Sequence, residues 1–360
     1  MAARRRRAAP AVVVNGPGAG ASPGRARPPV VVGIDAAGSA GAAVEWAAAE
    51  SATRGCGLRI VHVFRPSLPA DPYGVVAPMD SYLAAHAAAD AVLAESVERA
   101  RTVASDIEVS AHLLGGTTLG ALLAEAGRAR LLVLGSRGLC GLRALLARSV
   151  SAQVAAHASG PVVVIPPPAD GVRPAWSPPR VVVGVGNGGS CAPAVGFAFR
   201  AARQRGIPLV AVHAWTPDVP ADLEAVHAPA SVAEAVGRRT LERALQPWRA
   251  SFPDVEVVAE LVRGEPARTV GARSRGAALV VVGSGHRGHV RAAVLGSVSR
   301  SVLQHGGSPV AVVGDVGRDP APTPPSREAP QGNRAAPSWV RATGSVLREA
   351  RHAFGRRASP

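Results

Sequence analysis

The sequence predicts an α/β fold of two tandem domains, each a Rossmann-like parallel sheet of five strands with helices on both faces. Short runs of β-branched residues alternate with longer alanine-rich segments of helical period, which is the pattern of βαβ units. The strand segments are apolar throughout, as burial on both faces of a parallel sheet requires. The whole pattern occurs twice, so each copy is predicted to form one domain.

The duplication is visible as a constant offset between matching landmarks. The segment LRIVHVF at 58–64 returns as PLVAVHAW at 208–215, and ARLLVLGSRG at 129–138 returns as ALVVVGSGHRG at 278–288. Three pairs of landmarks lie 148 residues apart: Gly116 and Gly264, Gly135 and Gly283, and Pro161 and Pro309.

Each element of the first copy is predicted from its run of residues. Strands are predicted at 29–34, 58–64, 107–114, 130–135 and 161–165, and helices at 39–54, 80–104, 118–127 and 143–158. The second copy follows the same order from about 180 to 313.

The domain boundaries follow from changes in composition. Residues 1–28 form an Arg/Pro-rich tail predicted to be disordered, 29–166 the first domain, 167–178 a proline-rich linker, 179–314 the second domain, and 315–360 a low-complexity tail. Within the last tail, 338–357 has the pattern of an amphipathic helix that could dock on the domains or lie on an anionic membrane surface.

Charge and length limit the function classes. The chain has 360 residues, enough for two sizeable cores, and a net charge of +15 carried by arginine alone, since it contains no lysine. Residues 1–28 hold six arginines and no acid, and 315–360 hold eight arginines against four acids. A nucleic-acid-binding domain would carry its basic stripe on the folded surface, so specific nucleic-acid binding is not predicted.

The cellular compartment is predicted from cysteines and apolar runs. Cys56, Cys140 and Cys191 are odd in number and form no CxxC pair, so neither a disulfide framework nor a zinc site is indicated. No run approaches the ~20 apolar residues of a membrane span, and the apolar part of the amino terminus is too short for a signal peptide. A cytoplasmic protein is predicted.

The stretch from Gly283 to Ser299 has the character of a phosphate-binding loop. It follows an apolar strand, holds four glycines within fourteen residues, and leads into a helix. Ligands of parallel α/β sheets bind beyond the carboxyl ends of the strands. Backbone N–H groups of a glycine turn and a helix amino terminus bind phosphate without help from lysine. A phosphate-binding site is therefore predicted at this edge.

Other nucleotide motifs fit less well. The absence of lysine excludes a P-loop and a protein kinase. A dinucleotide fingerprint is present at Gly184–Gly189, but no acid follows about 20 residues later to bind the ribose, and the first copy lacks the middle glycine. A dinucleotide-binding protein remains a third interpretation.

Taken together, both copies resemble the universal stress protein family over 29–166 and 179–314. The shared signature is an apolar fourth strand, a Gly-x2-Gly-x9-Gly-Ser/Thr loop, a helix and a Pro-Val-type last strand. The resemblance implies an adenine nucleotide alpha hydrolase-like fold, ATP binding in many members, and a role in stress survival. It also implies that the terminal strands Val162–Ile165 and Val310–Val313 pair as an intramolecular pseudo-dimer, with a further homo-oligomer possible.

The first copy matches the family's nucleotide-binding motif incompletely. The resemblance places Asp35 against adenine and Val63 as a second adenine contact. Arg148 replaces the third motif glycine, where it would either block phosphate or bind it as a charged fork. The remaining candidate residues of this copy are Gly135, Arg137, Gly138, Ser149 and Val150.

The second copy is incomplete at other positions. His286 replaces the second motif glycine, and the neighbouring Gly285 is expected to preserve loop flexibility. Gly186 stands in place of the aspartate, and Ala214 takes the adenine-facing valine position. The remaining candidate residues of this copy are Gly283, Gly296, Ser297 and Val298.

The predicted function is an adenine-nucleotide (ATP) binding module in stress response, with any need for Mg²⁺ left open. No nucleophile–base–acid set occurs, so the protein is not predicted to be an enzyme beyond very slow ATP hydrolysis. His62, His213, His157 and His305 are predicted to be structural. The alternative is the same fold with non-binding sites, acting as a protein-interaction or signalling module.

Overall fold

The computed structural model describes residues 27–35, 40–65, 79–136, 149–167, 179–186, 191–216, 230–285, 295–305 and 307–314. All of these residues belong to one compact unit, Met1–Pro322. Residues 1–26 of the predicted amino-terminal tail, most of the linker, and the whole predicted carboxyl-terminal tail with its helix at 338–357 lie outside the described residues.

The described part of each repeat follows the predicted strand–helix order. In the first repeat the elements are β1 Val30–Ile34, α1 Gly41–Arg54, β2 Leu58–Val63, α2 Met79–Val103, β3 Val109–Leu114, α3 Thr118–Arg128, β4 Leu131–Gly135, α4 Val150–His157 and β5 Val162–Ile165. In the second they are β6 Val181–Gly184, α5 Ala192–Arg205, β7 Leu209–Trp215, α6 Ala230–Ser251, β8 Val257–Arg263, α7 Pro266–Ser274, β9 Leu279–Gly283, α8 Ser297–His305 and β10 Val310–Val313.

The strands of both repeats form one sheet in the order β3-β2-β1-β4-β5-β10-β9-β6-β7-β8. Neighbours within a repeat are parallel, whereas β5 and β10 pair antiparallel, with Ala311 opposite Val163. The pairing predicted for the two terminal strands is confirmed. Because the strand direction reverses at this pair, the carboxyl ends of the two repeats lie on opposite edges of the sheet.

The helices cover the sheet in two layers that continue across both repeats. α1, α2, α5 and α6 pack on one face, and α3, α4, α7 and α8 pack on the other. Successive strand residues point to opposite faces, so Val30 and Val32 enter one core cluster and Val31 enters the other. This two-sided burial is why the strand segments are apolar at every position.

The largest departure from the predicted elements concerns α4. A helix was expected over 143–158, but Ser149 is extended, with φ −71° and ψ 122°, and the helix begins at Val150. Serine commonly occupies the residue before a helix, where the backbone is extended, and helical periodicity does not reveal that conformation. Residues 143–148 lie outside the described part of the chain. The other predicted ends in this repeat agree within two residues.

The two repeats also meet through α1 and α5, an interface that we call the seam. Arg54 of α1 lies over the ring of Phe197, 5.4 Å from its centroid, and Arg205 of α5 lies over the ring of Trp46 at 6.0 Å. In the repeat alignment Arg54 corresponds to Arg205 and Trp46 to Phe197. The two contacts are therefore related by the approximate two-fold symmetry of the molecule.

One buried carboxylate breaks that symmetry. Glu50 is 3 % exposed and accepts hydrogen bonds from Arg54 Nε at 2.5 Å and from the Arg205 guanidinium. Its counterpart in α5 is Ala201. Burial is the main influence on Arg205 and lowers its pKa, while the charge of Glu50 opposes that effect.

None of the helices in the described ranges is long and apolar enough to cross a membrane.

Candidate functional site

The sheet brings the predicted base-side and phosphate-side residues of the first repeat to one edge. β1 lies between β2 and β4, with Ile34 opposite His62 and Gly33 opposite Leu134. Asp35, Val63 and Gly135 thus stand at three adjacent carboxyl ends. The chain moves from β1 to β2 on one side and reaches β4 on the other, so a crevice opens between β1 and β4, where ligands of such sheets bind.

The second repeat builds the matching crevice on the opposite edge. β6 lies between β7 and β9, with Val183 opposite both Ala211 and Val281. Gly186, Ala214 and Gly283 occupy the three strand ends. Gly186 is exposed and open, since no described atom lies within 4 Å of where its Cβ would be.

Two histidines fix the rims of these crevices. His62 Nδ1 lies 3.0 Å from the carbonyl oxygen of Ile34, and His213 Nδ1 lies 2.8 Å from that of Val185. Both rings are buried, at 9 % and 1 % exposure. The predicted structural role is confirmed, because each ring ties the second strand of its repeat to the end of the first.

The two ends of the second glycine loop touch through their backbones. Gly285 has φ +79°, and a Cβ at this residue would lie 2.8 Å from Gly296 Cα and 3.0 Å from Gly296 N. Gly296 N donates a hydrogen bond to the carbonyl of Ser284 at 3.2 Å. A side chain at Gly285 is therefore excluded both by its conformation and by the contact. This close approach goes beyond the flexibility expected for Gly285.

A second tie joins each strand end to the following helix. Ser299 Oγ donates to the carbonyl of Gly283 at 2.6 Å, and Ser151 Oγ donates to that of Gly135 at 3.2 Å. Neither serine belongs to the predicted set of nucleotide-binding residues. Their 148-residue spacing, the same as between the two glycines, was the signal that could have identified them.

The first backbone N–H groups of α8 have no hydrogen-bond acceptor within the part of the chain that the structure describes. The backbone N–H of Arg300 donates to the carbonyl of Gly296 at 2.9 Å, as the first bond of the helix. The N–H groups of Ser297, Val298 and Ser299 precede it and have no partner within the helix. Together with the helix dipole they form a local positive potential beside Gly283, where the position of a Cβ has no described atom within 4 Å.

The loop of the first repeat differs at both contacting positions. Ser149 is the residue before α4, and its side chain makes no capping hydrogen bond, while Val150 is 37 % exposed. The counterparts of Gly285 and Gly296 are Arg137 and Arg148. These two arginines, like the predicted site residues Gly138 and His286, lie outside the described residues.

The base sides also differ between repeats. Val63 is half-buried and packs against the cluster formed with α3 and α4, whereas Ala214 is nearly covered at 8 % exposure. Asp35 follows β1 and is half-buried. The first repeat therefore has a carboxylate at the end of its first strand, and the second has the backbone contact between Gly285 and Gly296.

A separate polar cluster joins β2, β3 and α3 of the first repeat. Arg59 Nε is 3.0 Å from Glu125 Oε2, and Arg59 Nη1 is 2.7 Å from His112 Nε2. His112 Nδ1 is buried without a partner among the described residues. Burial lowers the pKa of His112, and the charge of Arg59 acts in the same direction. No group of three potential metal ligands occurs in the described ranges.

The sequence profile of the universal stress protein family matches residues 27–166 and 179–314. The chain belongs to the universal stress protein family. It is 34 % identical over 309 residues to universal stress protein Rv1996 of Mycobacterium tuberculosis, covering 81 % of this chain and 96 % of the relative. A Mycolicibacterium smegmatis universal stress protein is 32 % identical over 295 residues, covering 79 % and 96 %.

Solved structures of universal stress proteins share the fold. The crystal structure of one from Archaeoglobus fulgidus superposes with a TM-score of 0.58 at 18 % identity, covering 79 % of this chain and 96 % of that one. This universal stress protein therefore has the tandem α/β architecture of the family.

Proposed function

We propose that this universal stress protein is an adenine-nucleotide binding module of the stress response, that ATP is its ligand, and that the second repeat is the principal site. The observation that carries the proposal is the backbone contact between Gly285 and Gly296 at the amino terminus of α8. Near this contact the first N–H groups of α8 have no hydrogen-bond acceptor among the described residues.

The phosphate side rests on donors that need no lysine. The N–H groups at the start of α8 and of the glycine turn can converge on phosphate oxygens, and the helix contributes roughly half a positive charge. Ser299 Oγ donates a hydrogen bond to the carbonyl oxygen of Gly283 at 2.6 Å, and this oxygen is therefore already hydrogen-bonded. An anion would meet donors on this wall of the crevice.

The base side of the second repeat is less selective. Gly186 stands where the family motif has an aspartate, so no carboxylate at this position accepts the adenine amino group. Ala214 offers a small apolar surface. Adenine selection in this repeat should therefore be weak relative to phosphate binding.

The first repeat is proposed to bind weakly or not at all. Asp35 and Val63 supply the base side, but both glycines that touch in the second repeat are replaced by arginine. In the second repeat a Cβ at Gly285 would lie 2.8 Å from the Gly296 backbone and one at Gly296 would lie 3.2 Å from Gly285 Cα, so side chains at the two positions would force the contact apart. We propose that Arg148 blocks phosphate in this repeat.

Binding without turnover fits the chemistry of the second crevice. Its strand ends carry Gly186, Ala214 and Gly283, and none of these supplies a general base. Free Cys56 and Cys191 agree with the reducing cytoplasm that we propose as its location.

Calorimetric titration with ATP at neutral pH tests the proposal. The wild type should bind, and its unfolding free energy should rise by ~2.7 kcal/mol at a hundredfold excess over Kd. Gly285→Val should abolish most of this gain in unfolding free energy, whereas the control Gly271→Ala, in an open position of α7, should retain it.

Arg148→Gly should strengthen ATP binding by unblocking the first repeat.

Two results would contradict the proposal. Equal ATP affinity of Gly285→Val and the wild type would remove the glycine contact from the site. A wild type silent to millimolar ATP, and equally to NADH and cyclic AMP, would leave the alternative of the same fold acting as a protein-interaction module.

A further inference from the structure

The base side of the second crevice carries residues without strong hydrogen-bonding side chains. Gly186 follows β6, is exposed, and has no described atom within 4 Å of where its Cβ would be. Ala214, near the end of the adjacent β7, contributes only a methyl group. The corresponding residues of the first repeat are Asp35 and Val63. A carboxylate therefore stands at this position in one repeat and not in the other.

The side chain that interacts with the backbone of Gly186 is a thiol. Cys191 precedes α5 and is half-buried. Burial is the main influence on this thiol and raises its pKa, while hydrogen bonds from the backbones of Cys191 and Gly186 oppose that effect. The thiol is therefore neutral at pH 7, and a neutral thiol is a weak donor and a weak acceptor. It supplies no charge that would favour one base over another.

Two backbone oxygens at these strand ends already have hydrogen-bond donors. The carbonyl oxygen of Val185 lies 2.8 Å from His213 Nδ1. The carbonyl oxygen of Trp215 accepts a hydrogen bond from the N–H of Gly264 at 2.9 Å. The amino group of adenine is a donor and needs an acceptor, and these two carbonyls are engaged within the fold.

The hydrogen-bonding capacity of this crevice is thus greater on its phosphate side. There the first N–H groups of α8 have no acceptor among the described residues, and every nucleoside triphosphate carries the same phosphate chain. A site that hydrogen-bonds a particular group of its ligand strongly rejects analogues that lack the group, whereas an apolar wall discriminates weakly. The base side described above is of the second kind.

We propose that the second crevice binds nucleoside triphosphates through their phosphates and does not discriminate between their bases. This inference rests on the proposed function, because it concerns the same site and names the class of ligand that the site accepts. GTP and CTP are then ligands of this crevice as well as ATP, with affinities within about threefold of one another.

Calorimetric titration of the full chain with ATP, GTP and CTP, each at the same pH and salt concentration, tests the proposal. The three dissociation constants of the wild type should agree within about threefold. Gly285→Val should weaken the binding of all three nucleotides by the same factor, because they share the phosphate contacts that this variant disturbs.

Gly186→Asp should create a preference for adenine, because a carboxylate there can accept a hydrogen bond from the adenine amino group. Gly186 has no positive φ and its Cβ position is open, so aspartate fits without strain. The variant should bind ATP about tenfold or more tightly than purine riboside triphosphate, which lacks only that amino group. The ratio of the two affinities is the measurement, since the added negative charge weakens both.

The matched control is Gly307→Asp, which adds the same charge at an exposed, open residue before β10, on the opposite edge of the sheet. Like the wild type, it should bind ATP and purine riboside triphosphate within about threefold of each other. Thermal unfolding of both variants shows whether they are folded, and the wild-type comparison of ATP with GTP does not depend on either.

The outcomes separate this inference from the proposed function. Wild-type binding of ATP that is about tenfold or more tighter than binding of GTP would overturn the inference and leave the proposed function intact. A wild type that binds none of the three nucleotides would overturn both. Loss of GTP binding with retained ATP binding in Gly285→Val would assign ATP to the first repeat. A folded Gly186→Asp protein without a preference for ATP would show that Gly186 does not face the base.

Discussion

His112 shows how one buried side chain can carry a pH dependence. Its Nε2 lies 2.7 Å from Arg59 Nη1, so the neutral ring accepts the hydrogen bond from the guanidinium. Protonation would place two cationic groups in contact inside a largely buried cluster, and burial already lowers the pKa of the ring. The charge of Glu125, which accepts a hydrogen bond from Arg59, raises the pKa of His112 and offsets this lowering only in part.

The free energy of unfolding should fall as pH drops through the folded-state pKa of His112. The folded pKa lies below the usual value of 6.5, so the unfolded chain binds the proton more readily. The stabilisation is therefore present above pH 6.5 and lost in acid. Urea unfolding at pH 8 and pH 5 checks this, with His112→Gln as the comparison, since glutamine can still accept from Arg59. Identical pH slopes for both proteins would refute it.

At the scale of elements, α5 and α6 pack closely enough to require a glycine. A Cβ at Gly196 would overlap the ring of Trp248, which is 3 % exposed and packs against both Phe199 and Phe252. The tryptophan cannot move aside without displacing its aromatic neighbours. In packing this dense, even a single added methyl group forces its neighbours to shift.

Gly196→Ala should destabilise the protein by about 1–3 kcal/mol, because it overpacks this contact. Gly271→Ala, in α7, is the matched control, since the same methyl group meets no described atom within 4 Å. Removing a helical glycine there should stabilise by up to ~1 kcal/mol. Chemical unfolding measures the free energy of unfolding of both variants. Similar changes in the two would contradict the prediction.

The sequence predicted those features that depend on local pattern. The strands were predictable because each is an apolar run such as Leu279–Gly283, and the 148-residue repeat exposed the matching loops. The extended backbone of Ser149 was not predictable, because the conformation of one residue leaves no periodic signal in the sequence. The contact of Gly285 with Gly296 joins residues separated by a loop, and the seam arginines meet only after the repeats pair.

On the scale of the whole molecule, Glu50 links the two repeats at the seam. It is 3 % exposed and serves Arg54 and Arg205, whose side chains are 6 % and 16 % exposed. Losing the carboxylate would leave two guanidinium groups without their counter-charge in a buried interface. Such an uncompensated charge is more costly than the loss of a surface ion pair.

Glu50→Gln should lower the free energy of unfolding by about 3–5 kcal/mol. Glu45→Gln is the matched control on the same helix, because Glu45 and its partner Arg99 are 48 % and 43 % exposed and such pairs contribute about 1 kcal/mol or less. Denaturant unfolding measures both. A small, equal effect of the two variants would show that the seam does not depend on this carboxylate.

The antiparallel pairing of β5 with β10 within one chain has an evolutionary consequence. A dimer of identical subunits must accept every substitution twice, once on each side of its axis. Covalent fusion removes that obligation, so a single carboxylate can serve both guanidinium groups at the seam. Each half is likewise free to drift, and one loop could acquire arginines while its twin kept its glycines.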